Sequence, residues 1–156
     1  MTRIDIVSGF LGAGKTTLIK KLLSEALNGQ KVVLIEKGQK IEKRICPIRN
    51  GSPKCVNCKR CGLLCGWGGA GAFSDGKLNT RTRNFFTVKV LEDMVDCKMP
   101  REILTFAKPH LGTDRLSILL KEIRNRIAML QGEFRFNSFL EDIEIVGGEI
   151  RKAKFN

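Results

Sequence analysis

The sequence predicts an α/β fold: a parallel sheet, an irregular insertion rich in Cys and Gly, and a C-terminal β-hairpin. Three observations lead to this fold class. A strand–loop–helix–strand pattern occupies residues 3–36, and residues 37–84 lose all helical periodicity. From residue 109 onward the pattern becomes a helix, a strand and then two alternating strands. With 156 residues, the chain is expected to form one domain over residues 1–156.

The N-terminal unit, residues 1–36, is predicted to be a strand, a loop, a helix and a second strand. Residues 4–7 are a short apolar strand, and apolar residues recur at helical spacing from Lys15 to Leu27. Asn28 and Gly29 supply a helix stop, since glycine tolerates the left-handed conformation found at helix ends. Residues 31–35 form a continuously apolar run, which is typical of a strand buried in a parallel sheet.

The remaining chain divides into two parts. Residues 37–84 are rich in Gly, Cys, Pro and basic residues, so an irregular segment is expected, and residues 86–106 are ambiguous. In residues 109–156, Thr113 is expected to cap a helix that runs to Leu130 and ends at Gln131 and Gly132. A strand at 133–136 follows, and residues 140–146 and 149–154 alternate around Gly147 and Gly148 as a hairpin.

Composition and charge restrict the classes of partner. The 28 basic and 16 acidic side chains give a net charge of +12, which suits a polyanionic partner or a solvated basic surface. No compact Lys/Arg run or nucleic-acid motif occurs, so nucleic acid is not an expected partner. No apolar stretch is long enough to span a membrane, and no signal-peptide pattern is present. A cytoplasmic location is expected, with the six cysteines reduced.

Residues 9–17 form a complete Walker A motif between the first predicted strand and helix. Its glycines let backbone N–H groups converge on a phosphate, and the helix N-terminus adds a positive dipole. Lys15 is expected to neutralise phosphate charge, and Thr16 to place its hydroxyl on Mg²⁺. A Gly-rich turn without a ligand is the structural alternative.

Residues 1–36 resemble the start of the metal-chaperone P-loop GTPases of the cobalamin-synthesis and zinc-trafficking type. That resemblance implies bound Mg-GTP or Mg-ATP. It does not extend to the Cys-x-Cys-Cys metal motif of that family, to a Walker B aspartate or to an Asn-Lys-x-Asp guanine reader, so GTP hydrolysis is not expected. The implied phosphate and Mg²⁺ contacts are Gly9, Gly12, Ala13, Gly14, Lys15, Thr16 and Thr17.

Four cysteines have the spacing of a ferredoxin-type iron–sulfur run, Cys-x2-Cys-x2-Cys-x3-Cys. A [4Fe-4S] cluster, a Zn²⁺ ion and free thiols remain three alternatives, because Gly66 stands where such runs usually carry proline. Cys46 and Cys97 are expected to be packing residues, and the single histidine, His110, is not expected to be a general base. The candidate metal ligands are Cys55, Cys58, Cys61 and Cys65.

Residues 34–155 resemble a second family, the FAD-dependent, NAD(FAD)-utilising dehydrogenases of bacteria. The resemblance rests on stretches including residues 34–38, 44–47, 55–77, 110–115 and 132–137. It implies that Glu36, beside Lys37, accepts hydrogen bonds from an adenosine ribose. It also implies that a glycine-rich run passes close to the flavin or its pyrophosphate, at Gly68, Gly69, Ala70, Gly71, Ser74, Asp75 and Gly76.

Together these patterns predict a Rossmann-like nucleotide-binding domain. The main interpretation is an FAD-binding oxidoreductase domain or fragment, incomplete as an enzyme. The alternatives are a P-loop GTP- or ATP-binding protein of the metal-chaperone type and a small iron–sulfur or zinc module. Because two families meet near residues 31–36, a chimeric or truncated chain is expected.

Overall fold

A computed structural model of the chain describes residues 32–78, 85–105 and 110–156. The predicted first strand (4–7), the Walker A motif (9–17) and the first predicted helix (15–27) lie outside these ranges. The described strands are β1 (Val33–Glu36), β2 (Glu133–Phe136), β3 (Leu140–Val146) and β4 (Glu149–Phe155), and the described α-helices are α1 (Phe85–Asp96) and α2 (Gly112–Met129).

Strands β1 and β2 pair in parallel, with Val33 opposite Glu133 and Glu36 opposite Phe136. Because the strands are parallel, their carboxyl ends meet at one edge of the sheet. Beyond the strands, the Asn137 amide donates to the Gly38 carbonyl over 2.9 Å, which holds this edge together. The prediction of an α/β fold with a parallel sheet is confirmed at this level, and the Rossmann-like arrangement stays a prediction.

The predicted irregular segment contains only short 3-10 turns within residues 37–78, as expected. Its turns are Ile41–Lys43, Ile48–Asn50 and Ala70–Phe73. The ambiguous stretch after it forms α1 and one more 3-10 turn, Arg101–Leu104. The apolar residues of α1 explain why this stretch is helical, because Leu91, Met94 and Val95 pack against a buried cluster.

Helix α2 is the element that joins the core. It carries Leu119 and Ile127, exposed by only 3% and 1%, on the predicted apolar face. Ile123 contacts two buried clusters. One surrounds Trp67 and packs against the parallel sheet, and the other surrounds Ile103 and packs against α1. Trp67 also donates its indole N–H to the Leu120 carbonyl over 2.7 Å, tying the irregular segment to the helix.

Helix α2 differs from the prediction at its start and agrees with it at its end. The prediction that Thr113 caps the helix is wrong, because Leu111 is the N-cap residue and makes no side-chain cap bond. The start is set instead by Gly112, the first residue of α2, whose φ of 76° favours glycine. The predicted end is confirmed, since Gln131 has a φ of 65° and the Gly132 amide donates to the Ile127 carbonyl.

Strands β3 and β4 form the predicted antiparallel hairpin. Gly147 and Gly148 have φ values of 60° and 82°, which the type I′ turn requires at both central residues. Acidic residues of β3 face basic residues of β4, as in the pairs Asp142–Lys154 and Glu144–Lys152. No helix in the described ranges is long and apolar enough to cross a membrane.

Candidate functional site

Glu36 and several charged and thiol side chains lie at the carboxyl edge of the β1–β2 sheet. Ligands of α/β proteins bind at this edge, outside the carboxyl ends of parallel strands. Here the edge is covered by the start of the irregular segment, residues 37–46, and by its cysteine-rich part, residues 55–66. Two cavities open between these stretches.

Glu36, the last residue of β1, is fixed at this edge by backbone amides. Its Oε1 accepts hydrogen bonds from the Gly38 amide at 2.7 Å and from the Gly66 amide at 3.0 Å. A Cβ atom on Gly38 would collide with the backbone of Cys65 and Gly66, so only glycine permits this close approach. One carboxylate oxygen therefore joins the end of β1 to the irregular segment.

Arg44 is the buried centre of the irregular segment, with 7% of its surface exposed. Its guanidinium donates to four backbone carbonyls at 2.7 to 3.0 Å, those of Gly62, Leu63, Trp67 and Gly69. It also lies 4.7 Å from the centroid of the Phe73 ring. Burial lowers the pKa of Arg44, while Glu36 and the thiols of Cys65 and Cys61 act in the opposite direction. Since arginine stays protonated in proteins, Arg44 is a fixed positive charge at the sheet edge.

The first cavity, which we call the edge cavity, lies directly beyond β1 and β2 and has a volume of about 180 Å³. The wall of the cavity includes Gly38, which comes after β1 in the sequence, and Asn137, which comes directly after β2. Three cations line it. They are Lys43, Arg44 and Arg60.

The second cavity, which we call the thiol cavity, has a volume of about 350 Å³. Four cysteines line it together with apolar side chains such as Ile48, Val56 and Leu64, and these cysteines are Cys46, Cys55, Cys58 and Cys61. Cys65 lies instead in the wall of the edge cavity. The cysteine that joins the others is therefore Cys46, which the sequence predicts to be a packing residue.

The four-cysteine metal site at Cys55, Cys58, Cys61 and Cys65 stays a prediction, because the described structure does not gather these thiols. Within the described ranges, no three His, Cys, Asp or Glu residues lie where they would hold one metal ion. The Cys65 amide donates to the Cys61 carbonyl, and the Cys55 thiol donates to Asn57 Oδ1 over 3.7 Å.

The glycine-rich run 68–76 packs against α2. A Cβ atom on Gly68 would collide with Leu120, and one on Gly76 would lie 2.9 Å from the Gly112 amide nitrogen. Ser74 donates its hydroxyl to the Gly71 carbonyl, and Asp75 pairs with Lys77 at 3.3 Å on the surface. Lys37 lies apart, with its ammonium 5.5 Å from the Phe139 ring centroid.

The structure thus brings only some predicted site residues together. Glu36, Cys61 and Cys65 meet at the sheet edge, whereas Gly68–Gly76 follow the helix. The predicted phosphate contacts in residues 9–17 lie outside the described residues. Sequence reasoning missed Lys43, Arg44 and Arg60 as a group. The composition could have indicated this group of cations, since residues 37–78 contain nine basic and only two acidic side chains.

Comparison with known proteins supports one of the two resemblances. Residues 3–65 match the family model of the CobW/HypB/UreG nucleotide-binding domain. A curated relative, an uncharacterized protein of Clostridium beijerinckii (strain ATCC 51743 / NCIMB 8052), is 36% identical over 151 residues. That alignment covers 97% of this chain but 28% of the relative, so the chain spans little more than a quarter of its length.

The family match corrects the main functional prediction. An FAD-binding oxidoreductase is wrong as the leading interpretation, because the matched residues, which include Glu36 and Cys55–Cys65, belong to a P-loop nucleotide-binding model. FAD and an iron–sulfur cluster are accordingly unsupported as cofactors. The match supports the alternative of a nucleotide-binding, P-loop protein of the metal-chaperone type, with bound GTP, Mg²⁺ and metal. It covers the N-terminal two-fifths of the chain.

Proposed function

We propose that this chain binds GTP with Mg²⁺ through the Walker A motif at residues 9–17. The observation that carries the proposal is the complete motif inside residues 3–65, the range that matches the nucleotide-binding family model. In such a loop the backbone N–H groups hold the phosphates, Lys15 neutralises their charge and Thr16 contacts Mg²⁺.

The described sheet supports this proposal by its topology. The second strand of the predicted P-loop unit is β1, and β1 has the parallel neighbour that α/β nucleotide-binding folds require. In these folds the phosphate loop follows a neighbouring parallel strand, so it opens toward the carboxyl edge of the sheet. Glu36 and the edge cavity lie at that edge.

The test is thermal unfolding of the protein with and without nucleotide. A ligand present at about 100 times its dissociation constant stabilises the folded state by about 2.7 kcal/mol, and for a domain of this size each kcal/mol raises Tm by about 2–4 °C. We therefore expect saturating Mg-GTP to raise Tm by roughly 5–10 °C. Lys15→Ala should abolish that rise, because the phosphate charge loses its main counter-charge.

Lys152→Ala, which changes an exposed lysine of β4, is the matched control and should keep the full rise. Omitting Mg²⁺ should reduce the GTP effect. The proposal fails if Mg-GTP leaves Tm unchanged, or if Lys15→Ala responds to Mg-GTP as the unaltered protein does.

A further inference from the structure

The edge cavity has the charge of an anion site. Lys43 and Arg60 line it, and no carboxylate occurs among the described residues of its wall. Neither side chain forms an ion pair within the described part of the chain, and Arg60 donates one hydrogen bond, from Nη1 to the Asn137 carbonyl at 2.9 Å. Because a guanidinium has five N–H donors, Arg60 keeps donors for a ligand.

The nearby acids are engaged elsewhere. Glu36 accepts two backbone amide bonds, and Glu42 forms a two-bond pair with Arg124 at 2.6 and 2.8 Å. Neither carboxylate lines the edge cavity. Glu36 partly offsets the charge of Arg44 from outside the cavity wall. Within the described residues, neither Glu36 nor Glu42 forms an ion pair with Lys43 or Arg60.

The wall of the edge cavity is rigid on the side that carries Arg44. Four backbone carbonyls hold the Arg44 guanidinium in place, so it adds a positive charge at a fixed position and is not itself a direct ligand. Gly62, also in the wall, approaches Ile45 so closely that a Cβ atom would collide with the Ile45 carbonyl oxygen. These contacts within the protein fix part of the cavity wall, which lowers the ordering cost of binding.

We propose that the edge cavity binds a phosphate group, with Lys43 and Arg60 as its direct ligands and Arg44 as a fixed background charge. Arginine and lysine are the usual protein partners of phosphate oxygens. A volume of about 180 Å³ is below the range of roughly 300–1,000 Å³ that encloses a drug-sized ligand, so the cavity takes a small phosphate anion or one phosphate group of a larger ligand. The site goes beyond the proposed function, because none of its residues belongs to the P-loop.

The experiment is calorimetric titration of the intact chain with inorganic pyrophosphate. Losing a charge-assisted hydrogen bond of about 1.5–3 kcal/mol corresponds to a roughly 10- to 100-fold change in affinity. We therefore expect Arg60→Gln and Lys43→Gln each to weaken pyrophosphate binding by at least about tenfold. Lys54→Gln, an exposed lysine of the same segment outside both cavities, is the matched control and should bind as the unaltered chain does.

Lys15→Ala separates the two possible sources of the phosphate. If it keeps pyrophosphate binding while Arg60→Gln loses it, the edge cavity takes a free phosphate anion. If both variants lose it, the edge cavity contacts a phosphate of the same ligand that the P-loop holds. If only Lys15→Ala loses it, the pyrophosphate lies in the P-loop alone, and the edge-cavity proposal is overturned while the proposed function stands.

Two further results would also overturn the proposal. One is the absence of any pyrophosphate binding by the unaltered chain. The other is an equal loss in Lys54→Gln and Lys43→Gln, because binding would then follow the diffuse positive charge. Lys43 is exposed and no bond is recorded for its ammonium in the described residues, so Lys43→Gln tests the site even where Arg60→Gln unfolds the protein.

Discussion

At the scale of single residues, Arg44 organises the irregular segment. Its guanidinium donates to carbonyls of residues 62–69, a stretch that forms no helix or strand. Buried carbonyls without partners are costly, and here a single side chain satisfies four of them. The Arg44 guanidinium thus makes the hydrogen bonds to these carbonyls that backbone amides would make in a helix or a strand.

We expect Arg44→Lys to lower the free energy of unfolding by about 2–4 kcal/mol, because the three donors of a single ammonium nitrogen cannot reproduce the four carbonyl bonds of the planar guanidinium. Urea unfolding followed by circular dichroism measures the change. Arg49→Lys is the matched control, since Arg49 is exposed and makes one carbonyl bond to Phe73 while lying 5.2 Å from the same Phe73 ring. Equal losses in the two variants would contradict the role assigned to Arg44.

At the scale of elements, close backbone approaches hold the irregular segment against the sheet and α2. Gly38 approaches residues 65–66, Gly62 approaches Ile45, and Gly68 approaches Leu120. These contacts explain why glycine recurs in this segment without a common backbone angle. Gly68 has a φ of 88°, whereas Gly38 and Gly62 are outside the positive-φ region and are required for space alone.

Gly62→Ala should therefore destabilise the protein by about 2 kcal/mol, since overpacking a well-packed site costs roughly 1–3 kcal/mol. The obstacle is the Ile45 carbonyl, which is backbone and moves only with its segment. Gly71→Ala is the control in the same glycine-rich stretch, because an added Cβ atom meets nothing within 4 Å there. Its Tm should stay within about 2 °C of the unaltered protein, given that neutral surface changes cost less than about 0.5 kcal/mol. A larger loss in Gly71→Ala than in Gly62→Ala would refute the steric argument.

At the scale of the whole molecule, contacts distant in sequence connect the irregular segment to the C-terminal half. Strand β1 pairs with β2, which lies about a hundred residues later in the sequence, and Glu42 pairs with Arg124 of α2, which lies 82 residues later. The Arg124 hydrogen bond lowers the pKa of Glu42 from 4.5 to about 2, and the same bond raises the pKa of Arg124. The pair links the 3-10 turn Ile41–Lys43 to the helix that joins both clusters of the core.

This lowered pKa predicts how stability depends on pH. The carboxylate is charged in the folded state above pH 2, so its contribution is complete above the unfolded pKa of 4.5 and is lost as pH falls from about 5 to 2. After discounting for partial exposure, we expect that contribution to be about 1–2 kcal/mol. Glu42→Gln should be less stable than the unaltered chain by this amount at pH 7 and equal to it near pH 2, as measured by urea unfolding at each pH. A difference that persists unchanged at pH 2 would contradict the ion pair as its cause.

The fold was predictable where local patterns are strong. Apolar spacing placed the start of α2 within two residues and its end within one, and Gly147-Gly148 located the hairpin turn. The start of α2 was mispredicted because Gly112, not a Thr113 cap, sets it. For the site, the sequence singled out Glu36 and the cysteines but not their partners, since Gly66, Arg44 and Cys46 become neighbours only through the folded segment.

The amino-acid order alone determined the Walker A motif, the parallel-strand pattern, the helix α2 and the excess of positive charge, because these depend on spacing within short windows. The tertiary structure decided which cations face one cavity, which cysteines face another and which acids are already neutralised. Those outcomes depend on how an irregular segment closes on a sheet edge, through one arginine and several glycines. No local periodicity encodes such contacts between residues far apart in the chain.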